Sequence, residues 1–258
     1  MSISVIIITK NEEQAIQECL SSVSWADEII IVDSGSTDNT VPISKSFGAK
    51  VIVTEDWLGF GIQKNRALAL ATCNWVLSID ADERVSKELQ NEIQEIIKIS
   101  EKDTAFRIPR QSSFCGKFIH HSGWWPDYVL RLLPNPKHIN NQQNPAKFSN
   151  DIVHERLIFE GKISTLNNPI IHFSYSNLEE VLSKMNRYSS DGAAMAYARG
   201  EKSSFSKALV HSSWAFIRTY LLRLGFLDGK MGFILAVSNA QTTYYRYLKL
   251  MMLSNQNK

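Results

Sequence analysis

Short apolar segments alternate with helix-forming segments along the first hundred residues. The β-branched run Ile3–Thr9 is typical of a strand buried on both faces. Apolar residues then recur at helical spacing, and the same alternation continues to residue 79. The predicted strands are 3–9, 28–32, 50–54 and 74–79, with a predicted helix at 62–71. This order predicts an α/β protein with a mostly parallel, Rossmann-like sheet that has helices on both faces.

Polar side chains follow the predicted strands at the points where those strands end. Thr9, Lys10 and Glu12 follow the first strand, Asp33 follows the second, and Asp80 begins the segment after the fourth. Open parallel sheets bind ligands beyond the carboxyl ends of their strands. We therefore expect these side chains to line one crevice.

The segment Asp80-Ala81-Asp82 is a D-x-D pattern directly after an apolar strand. In an extended chain the two carboxylates point the same way and repel each other unless a cation lies between them. Mg²⁺ and Mn²⁺ take carboxylate and phosphate oxygens, so the pattern favours a metal-bridged diphosphate. The alternative is a solvated turn before the helix predicted near Ser86.

The chain lacks the glycine-rich motifs that hold phosphates through the backbone. No G-x-G-x-x-G follows the first strand, and no G-x-x-x-x-G-K-[ST] occurs anywhere. A dinucleotide oxidoreductase and a P-loop NTPase are therefore disfavoured. Phosphate charge must be met by a metal and by side chains, with Lys64 and Arg66 as the nearest candidates; Arg66 fits a solvated helix face better.

Charge is unevenly distributed along the 258 residues, although the net charge is only +2. Residues 1–102 carry nine Lys or Arg against 16 Asp or Glu, whereas residues 205–258 carry seven basic residues and one acid, Asp228. The second segment is also rich in aromatic residues and has two helical patterns separated near residues 227–230. We expect partial packing with the basic remainder on an anionic membrane. A homodimer interface is the alternative. Nucleic-acid binding is disfavoured, because the basic residues are dispersed and no recognised nucleic-acid-binding module appears.

Other global features fit a protein of a reducing compartment. Three widely spaced cysteines give no zinc pattern. We see no signal peptide and no apolar run of transmembrane length.

Eight motifs in order give the chain a family resemblance. It resembles family 2 glycosyltransferases of the GT-A fold, in particular the subgroup that adds glucose or a similar sugar to the lipopolysaccharide inner core of Gram-negative bacteria. The motifs are Thr9-Lys10-Asn11-Glu12, Asp33-Ser34-Gly35-Ser36-Thr37-Asp38, Gln63-Lys64-Asn65-Arg66, Asp80-Ala81-Asp82-Glu83, Gly123-Trp124-Trp125-Pro126-Asp127 with Arg131-Leu132, Val153-His154-Glu155, Ile171-His172-Phe173-Ser174-Tyr175, and Lys184 with Arg187-Tyr188-Ser189.

The resemblance implies a donor site at the strand ends. Thr9, Glu12 and Asp33 would hold the nucleotide base and ribose, and Asp33 would accept a hydrogen bond from uracil. Lys64 would lie near the nucleotide. Asp80 would bind the ribose or the metal.

The resemblance also implies a divalent metal, Mn²⁺ or Mg²⁺. Asp82 would be its main ligand, and His172 falls where many GT-A enzymes place a further ligand. Trp124, with Gly123, would form a loop close to donor and acceptor.

The catalytic base implied by the resemblance is Glu155. Many relatives have Glu-Asp where this chain has His154-Glu155, so Asp151 and Asp127 stay open as alternatives. An inverting transfer needs one base to take the acceptor proton and a metal to stabilise the leaving diphosphate. A hydrolytic glycosidase would instead need two carboxyls flanking the bond.

We predict a catalytic domain at residues 1–204 and a basic, aromatic helical extension at 205–258. The expected enzyme is a hexosyltransferase that moves a sugar from a UDP-sugar to a heptose of the lipopolysaccharide core. It would work in the cytoplasm, peripherally on the inner membrane. The alternatives are a polyprenyl-phosphate or capsule acceptor, a non-catalytic nucleotide-sugar-binding scaffold, and a nucleotidyltransferase.

Overall fold

The structure is a computed structural model that describes residues 1–101, 103–138, 146–149 and 156–255. It divides into two compact units, Met1–Arg110 with Tyr128–His172, and Gln111–Asp127 with Phe173–Lys258. The predicted boundary after residue 204 lies inside the second unit.

The helices and strands follow one another in a largely alternating order. In chain order they are β1 (Ile3–Thr9), α1 (Ile16–Ser22), β2 (Glu28–Asp33), α2 (Thr40–Ser46), β3 (Lys50–Val53), α3 (Phe60–Leu70), β4 (Trp75–Ser78), β5 (Glu83–Val85), α4 (Lys87–Ile99), β6 (Thr104–Phe114), β7 (Lys117–Phe118), β8 (Asp127–Pro134), β9 (Lys147–Phe148), β10 (Leu157–Ile158), β11 (Lys162–Thr165), β12 (Ile170–Tyr175), α5 (Leu178–Ala198), α6 (Phe205–Ile217) and α7 (Gly229–Asn255).

The main sheet has the strand order β3-β2-β1-β4-β8-β6-β12-β5. The strands β3, β2, β1 and β4 pair in parallel, which confirms the predicted parallel sheet. The strand β8 pairs antiparallel with β4, and β12 pairs antiparallel with β5. These two antiparallel additions were not predicted.

Alternating side chains of β1 build two separate cores in the first unit. Ile3, Val5 and Ile7 join a buried cluster with residues of α1 and α4. Ile6 joins a second cluster with residues of α3. Because successive strand residues face opposite sides of a sheet, the two clusters cover its two faces. The β-branched run therefore buries both faces, as its composition predicted.

The helix α4 begins where the sequence indicated. Ser86 is its N-cap, and its hydroxyl accepts a hydrogen bond from the Leu89 N–H at 3.2 Å. Such a cap satisfies one of the backbone donors left unpaired at a helix start. The buried residues of α4 are Leu89, Ile93 and Ile97, at a helical spacing of four.

The second unit contains three long helices, and α7 packs against both α5 and α6. A π-helical turn at Arg218–Leu222 and a 3₁₀ turn at Gly225–Asp228 separate α6 from α7. This is the break predicted near residues 227–230. Within the described residues, we find no helix with the length and apolarity needed to cross a membrane.

Candidate active site

The loop after β4 places Asp80 between two cations. Lys64 Nζ lies 2.9 Å from Asp80 Oδ1, and an Arg131 Nη donates to Asp80 Oδ2 at 2.5 Å. Lys64 is buried on α3 and Arg131 is buried on β8, and both side chains belong to the first unit. The cation that the D-x-D pattern required is thus supplied to Asp80 by the protein itself.

Glu83 extends this pair into a buried network. Its side chain is fully buried, and Oε1 accepts from Arg131 at 2.7 Å while Oε2 accepts from the Asp80 N–H at 2.9 Å. Arg110 lies 3.5 Å from the same Oε1. A buried carboxylate needs such pairing, because burying an isolated charge is very costly. The network therefore fixes the turn that carries Asp80 and Asp82.

The electrostatics keep Asp80 ionised. Burial by itself would raise the pKa of Asp80, but Arg131 and Lys64 outweigh it and hold that pKa well below its usual 3.8. Asp80 is therefore a carboxylate at any working pH. Its two oxygens are engaged with Lys64 and Arg131. Asp80 is therefore better suited to accept a hydrogen bond from a ribose hydroxyl than to bind a metal directly.

Asp82 contacts a residue ninety positions later in the chain. His172 Nε2 lies 3.3 Å from Asp82 Oδ2. The contact follows from strand register, because β12 pairs antiparallel with β5 and His172 is registered against Glu83. The two metal ligands implied by the resemblance are therefore neighbours in the first unit.

These two side chains have the chemistry of a metal site. A carboxylate oxygen and an imidazole nitrogen are both ligands of divalent transition metals, and substrate phosphates commonly complete such sites. No group of three His, Cys, Asp or Glu side chains suited to a metal occurs in the part of the chain that the structure describes. The pair fits a metal that takes its remaining ligands from a diphosphate and water.

Asp33 lies fully buried at the carboxyl end of β2, where Thr9 of β1 is registered against it. Thr9 Oγ1 donates to Asp33 Oδ2 at 2.8 Å, and Ser36 Oγ donates to the same oxygen at 2.5 Å. The N–H groups of Gly35 and Ser36 donate to Oδ1. A uracil N–H reaches this carboxylate only if the Thr9 or Ser36 side chain moves its hydroxyl away by a change of χ1 rotamer.

The other strand-end residues differ in their surroundings. The Glu12 N–H donates to Thr40 Oγ1 at 2.7 Å, which ties the loop after β1 to α2. Arg66 forms a bidentate ion pair with Asp56 on the exposed side of α3, and its Nη2 lies 2.6 Å from Asp56 Oδ2. Arg66 therefore lies on the solvated helix face, as expected, whereas Lys64 is buried beside Asp80.

The family model for glycosyl transferase family 2 matches residues 4–163, which include β1 to β4 and the Asp80–Asp82 turn. The chain belongs to glycosyl transferase family 2. An uncharacterized glycosyltransferase of Rickettsia typhi is 35% identical over 99% of this chain and 89% of its own length. The lipopolysaccharide core biosynthesis glycosyltransferase LpsC of Rhizobium meliloti is 29% identical over 97% of this chain and 92% of its own length.

A solved structure of another glycosyltransferase shares the fold of this family 2 chain. The crystal structure of S. aureus TarS 1-349 in complex with UDP-GlcNAc aligns with a TM-score of 0.52 and 17% identity, covering 100% of this chain and 93% of that one. The GT-A fold expected from the resemblance is therefore confirmed. The family match ends at residue 163, before His172.

Three further predicted residues need separate mention. Trp124 belongs to the second unit, where its ring stacks on Tyr175 at 6.1 Å and meets Phe114 edge-on at 5.8 Å. Glu155 and the alternative base Asp151 lie outside the described residues. The other alternative, Asp127, is half-buried at the start of β8.

Sequence reasoning missed the roles of Arg131, Glu83 and Arg110 in the network. In the sequence, Arg131 and Glu83 stand out only as members of family motifs. Leu132 of β8 is registered against Leu77, so Arg131 lies at the carboxyl end of β4. An isolated arginine inside an apolar strand signals such a buried pair, but its partner is visible only once the antiparallel register of β8 is known.

Proposed function

We propose that this family 2 enzyme is a metal-dependent, inverting hexosyltransferase that moves glucose from UDP-glucose to a heptose of a lipopolysaccharide inner core. The observation that carries the proposal is the contact at 3.3 Å between His172 and Asp82, beside the charged network around Asp80. A purely structural ion pair would not require an imidazole here. The name of the LpsC relative supports the acceptor class.

The donor diphosphate would meet positive charge at this edge of the sheet. Asp82 Oδ2 and His172 Nε2 would hold Mn²⁺ or Mg²⁺, which when bound supplies charge stabilisation for the departing UDP. Lys64 and Arg131 keep Asp80 ionised and oriented, so that its carboxylate would accept a hydrogen bond from a ribose hydroxyl. Asp33 would accept a hydrogen bond from the uracil N–H after the Thr9 or Ser36 side chain changes its χ1 rotamer.

Glu155 would act on the opposite side of the sugar as general base. It would take the proton from the acceptor hydroxyl as that oxygen attacks the anomeric carbon, while the bond to UDP breaks. One displacement inverts the anomeric configuration. The acceptor is lipid-anchored, so the enzyme would work at the cytoplasmic face of the inner membrane.

Release of UDP tests the proposal. The full chain is assayed with a panel of UDP- and GDP-sugars, in Mn²⁺, Mg²⁺ or EDTA, with and without truncated core lipopolysaccharide. We expect release that requires the metal and the acceptor and singles out one UDP-sugar. Glu155→Gln should lower kcat by about 10²–10⁴-fold with KM for the donor little changed, whereas the exposed Glu88→Gln is the matched control.

The other candidate functions give different results in the same assay. UDP binding without any release, unaffected by Glu155→Gln, would indicate a scaffold. Release of pyrophosphate would indicate a nucleotidyltransferase. Sugar transfer to polyprenyl phosphate, and not to core lipopolysaccharide, would refute the proposed identity of the acceptor.

A further inference from the structure

The helix α6 packs on α7 through small side chains. Ala208, Ala215 and Thr219 are buried on one side of this helical segment, and Ser212 between them is half-buried. Their spacing of four, three and four residues places them on a single stripe. Small residues allow close helix approach but bury little apolar area. Most of the large apolar residues of α6 therefore lie elsewhere on the helix.

An exposed apolar stripe occupies the opposite side of α6. It consists of Val210, Trp214, Ile217 and Leu221, whose exposed fractions are 66%, 52%, 39% and 50%. Their spacing is again four, three and four residues, so they form one continuous face. Apart from Phe216, whose ring meets Phe233 of α7 edge-on at 5.7 Å, this helical segment presents its bulky apolar side chains outward and its small ones inward, the reverse of an ordinary surface helix.

The turn between α6 and α7 continues this apolar surface. Leu222, Leu224, Phe226 and Leu227 are 61%, 45%, 45% and 56% exposed. We call these four residues the apolar tip. Soluble monomers rarely expose apolar patches this extensive, and those that do generally use them to bind a protein or a membrane.

The charges around the stripe and tip have one sign. Lys207 and Arg218 are exposed on the flank of the apolar stripe, and Lys230 is exposed just after the tip. The only acid between residues 205 and 255 is Asp228, which is buried. Its carboxylate accepts hydrogen bonds from the N–H groups of His120 and His121 and from the Ser122 hydroxyl. No acidic side chain in this segment therefore counters the basic flank.

We infer that the apolar stripe and tip insert into the interfacial region of an anionic lipid bilayer. Helices with an apolar face and a basic flank lie in this region, with the apolar residues among the acyl chains and the Lys and Arg side chains at the headgroups. A second copy of this chain fits less well, because two such surfaces would bring like charges together without an acid to pair them. This membrane contact rests on the proposed function, in which the acceptor is lipid-anchored. Binding to vesicles can nevertheless be measured without any sugar transfer.

Vesicle co-sedimentation of the full chain tests this inference. The vesicles are pure phosphatidylcholine or phosphatidylcholine with 30 mol% phosphatidylglycerol. We expect binding to the anionic vesicles that weakens as salt rises. Trp214→Gln with Leu221→Gln should weaken it by about tenfold or more, since two large apolar side chains no longer enter the bilayer.

Matched controls separate the surface from general effects of substitution. Leu182→Gln with Met195→Gln changes two exposed apolar residues of α5, and should leave vesicle binding unchanged. Lys207→Gln with Arg218→Gln should weaken binding by about tenfold on anionic vesicles. Lys45→Gln with Lys98→Gln removes the same charge from the first unit and should have little effect.

Three outcomes would overturn the inference. These are no binding to anionic vesicles, equal binding by the stripe variant and the α5 control, or a dimer in solution that the stripe variant converts to a monomer. The third result would assign the surface to a second copy. UDP release with a detergent-solubilised acceptor should persist in the stripe variant, so a failure here is distinguishable from a failure of the proposed transferase.

Discussion

Removing Arg131 should destabilise the first unit strongly. Arg131→Met takes away the cation that lies 2.5 Å from Asp80 and 2.7 Å from the fully buried Glu83. Breaking a buried ion pair from one side costs about 3–5 kcal/mol, because the remaining charge is left uncompensated. Arg110 at 3.5 Å and Lys64 at 2.9 Å still partly compensate, so we expect about 3 kcal/mol of unfolding free energy to be lost.

Urea unfolding followed by circular dichroism measures this loss as a lower midpoint at an unchanged m-value. Glu83→Gln alone should be similarly destabilising. In the double variant the two losses should not add, because the second substitution removes the charge that the first left unpaired. Coupling of at least about 1.5 kcal/mol is the expected result.

The exposed pair of Arg66 with Asp56 provides the control. Its distance of 2.6 Å matches the buried pair, but both side chains are accessible to water. Arg66→Met should therefore change stability much less than Arg131→Met. Equal losses of unfolding free energy in Arg66→Met and Arg131→Met would refute the reasoning that burial gives this network its strength. Additive losses in the double variant of Arg131 and Glu83 would refute it as well.

Three further predictions concern single groups. The pKa of Asp80 is held well below 3.8 in the folded chain, so its contribution to folding stability is complete above pH 3.8 and is lost only as the pH falls further. The loss of stability caused by Asp80→Asn, measured by urea unfolding from pH 7 to pH 3, should therefore become smaller only at the acid end of this range. Cys19 is fully buried, which also raises the pKa of its thiol, whereas Cys73 and Cys115 are half-buried. A thiol reagent should therefore modify Cys73 and Cys115 in the native chain and Cys19 only in urea. Gly232→Ala should lower the melting temperature, because the added Cβ would overlap the Gly225 carbonyl oxygen; an unchanged melting temperature would contradict that packing.

Much of the first unit could be predicted because its signals are local. The strand β1 occupies the predicted residues, and α4 begins near Ser86, where a helix was predicted. Continuous β-branched runs and caps are properties of a few neighbouring residues. The antiparallel strands β8 and β12 lack that advantage, since their respective partners β4 and β5 are 50 to 90 residues away in the chain. Their place in the sheet depends on tertiary packing that no short pattern specifies.

The acidic residues of the candidate site could be predicted from the sequence, whereas the basic residues that pair with them could not. Asp80 and Asp82 stand out as a pattern, and the requirement for a nearby cation follows from charge repulsion. That Arg131 supplies this cation to Asp80 depends on the register of β8 against β4. Likewise, an extended Asp80-Ala81-Asp82 was expected, but Asp80 and Asp82 occupy a turn and contact different partners. The closing hydrogen bond of that turn, from the Glu83 N–H to the Asp80 carbonyl, explains the difference.

Binding of UDP with and without a divalent metal tests the central claim most directly. Isothermal titration would compare the unmodified chain with Asp82→Asn, each in Mn²⁺ and in EDTA, with Asp56→Asn as the matched control. We predict that UDP binds tightly only with Mn²⁺, and that Asp82→Asn reduces this binding to the level found in EDTA while Asp56→Asn does not. Equal affinity in Mn²⁺ and EDTA, or full metal-dependent binding by Asp82→Asn, would contradict a metal held between Asp82, His172 and the donor diphosphate.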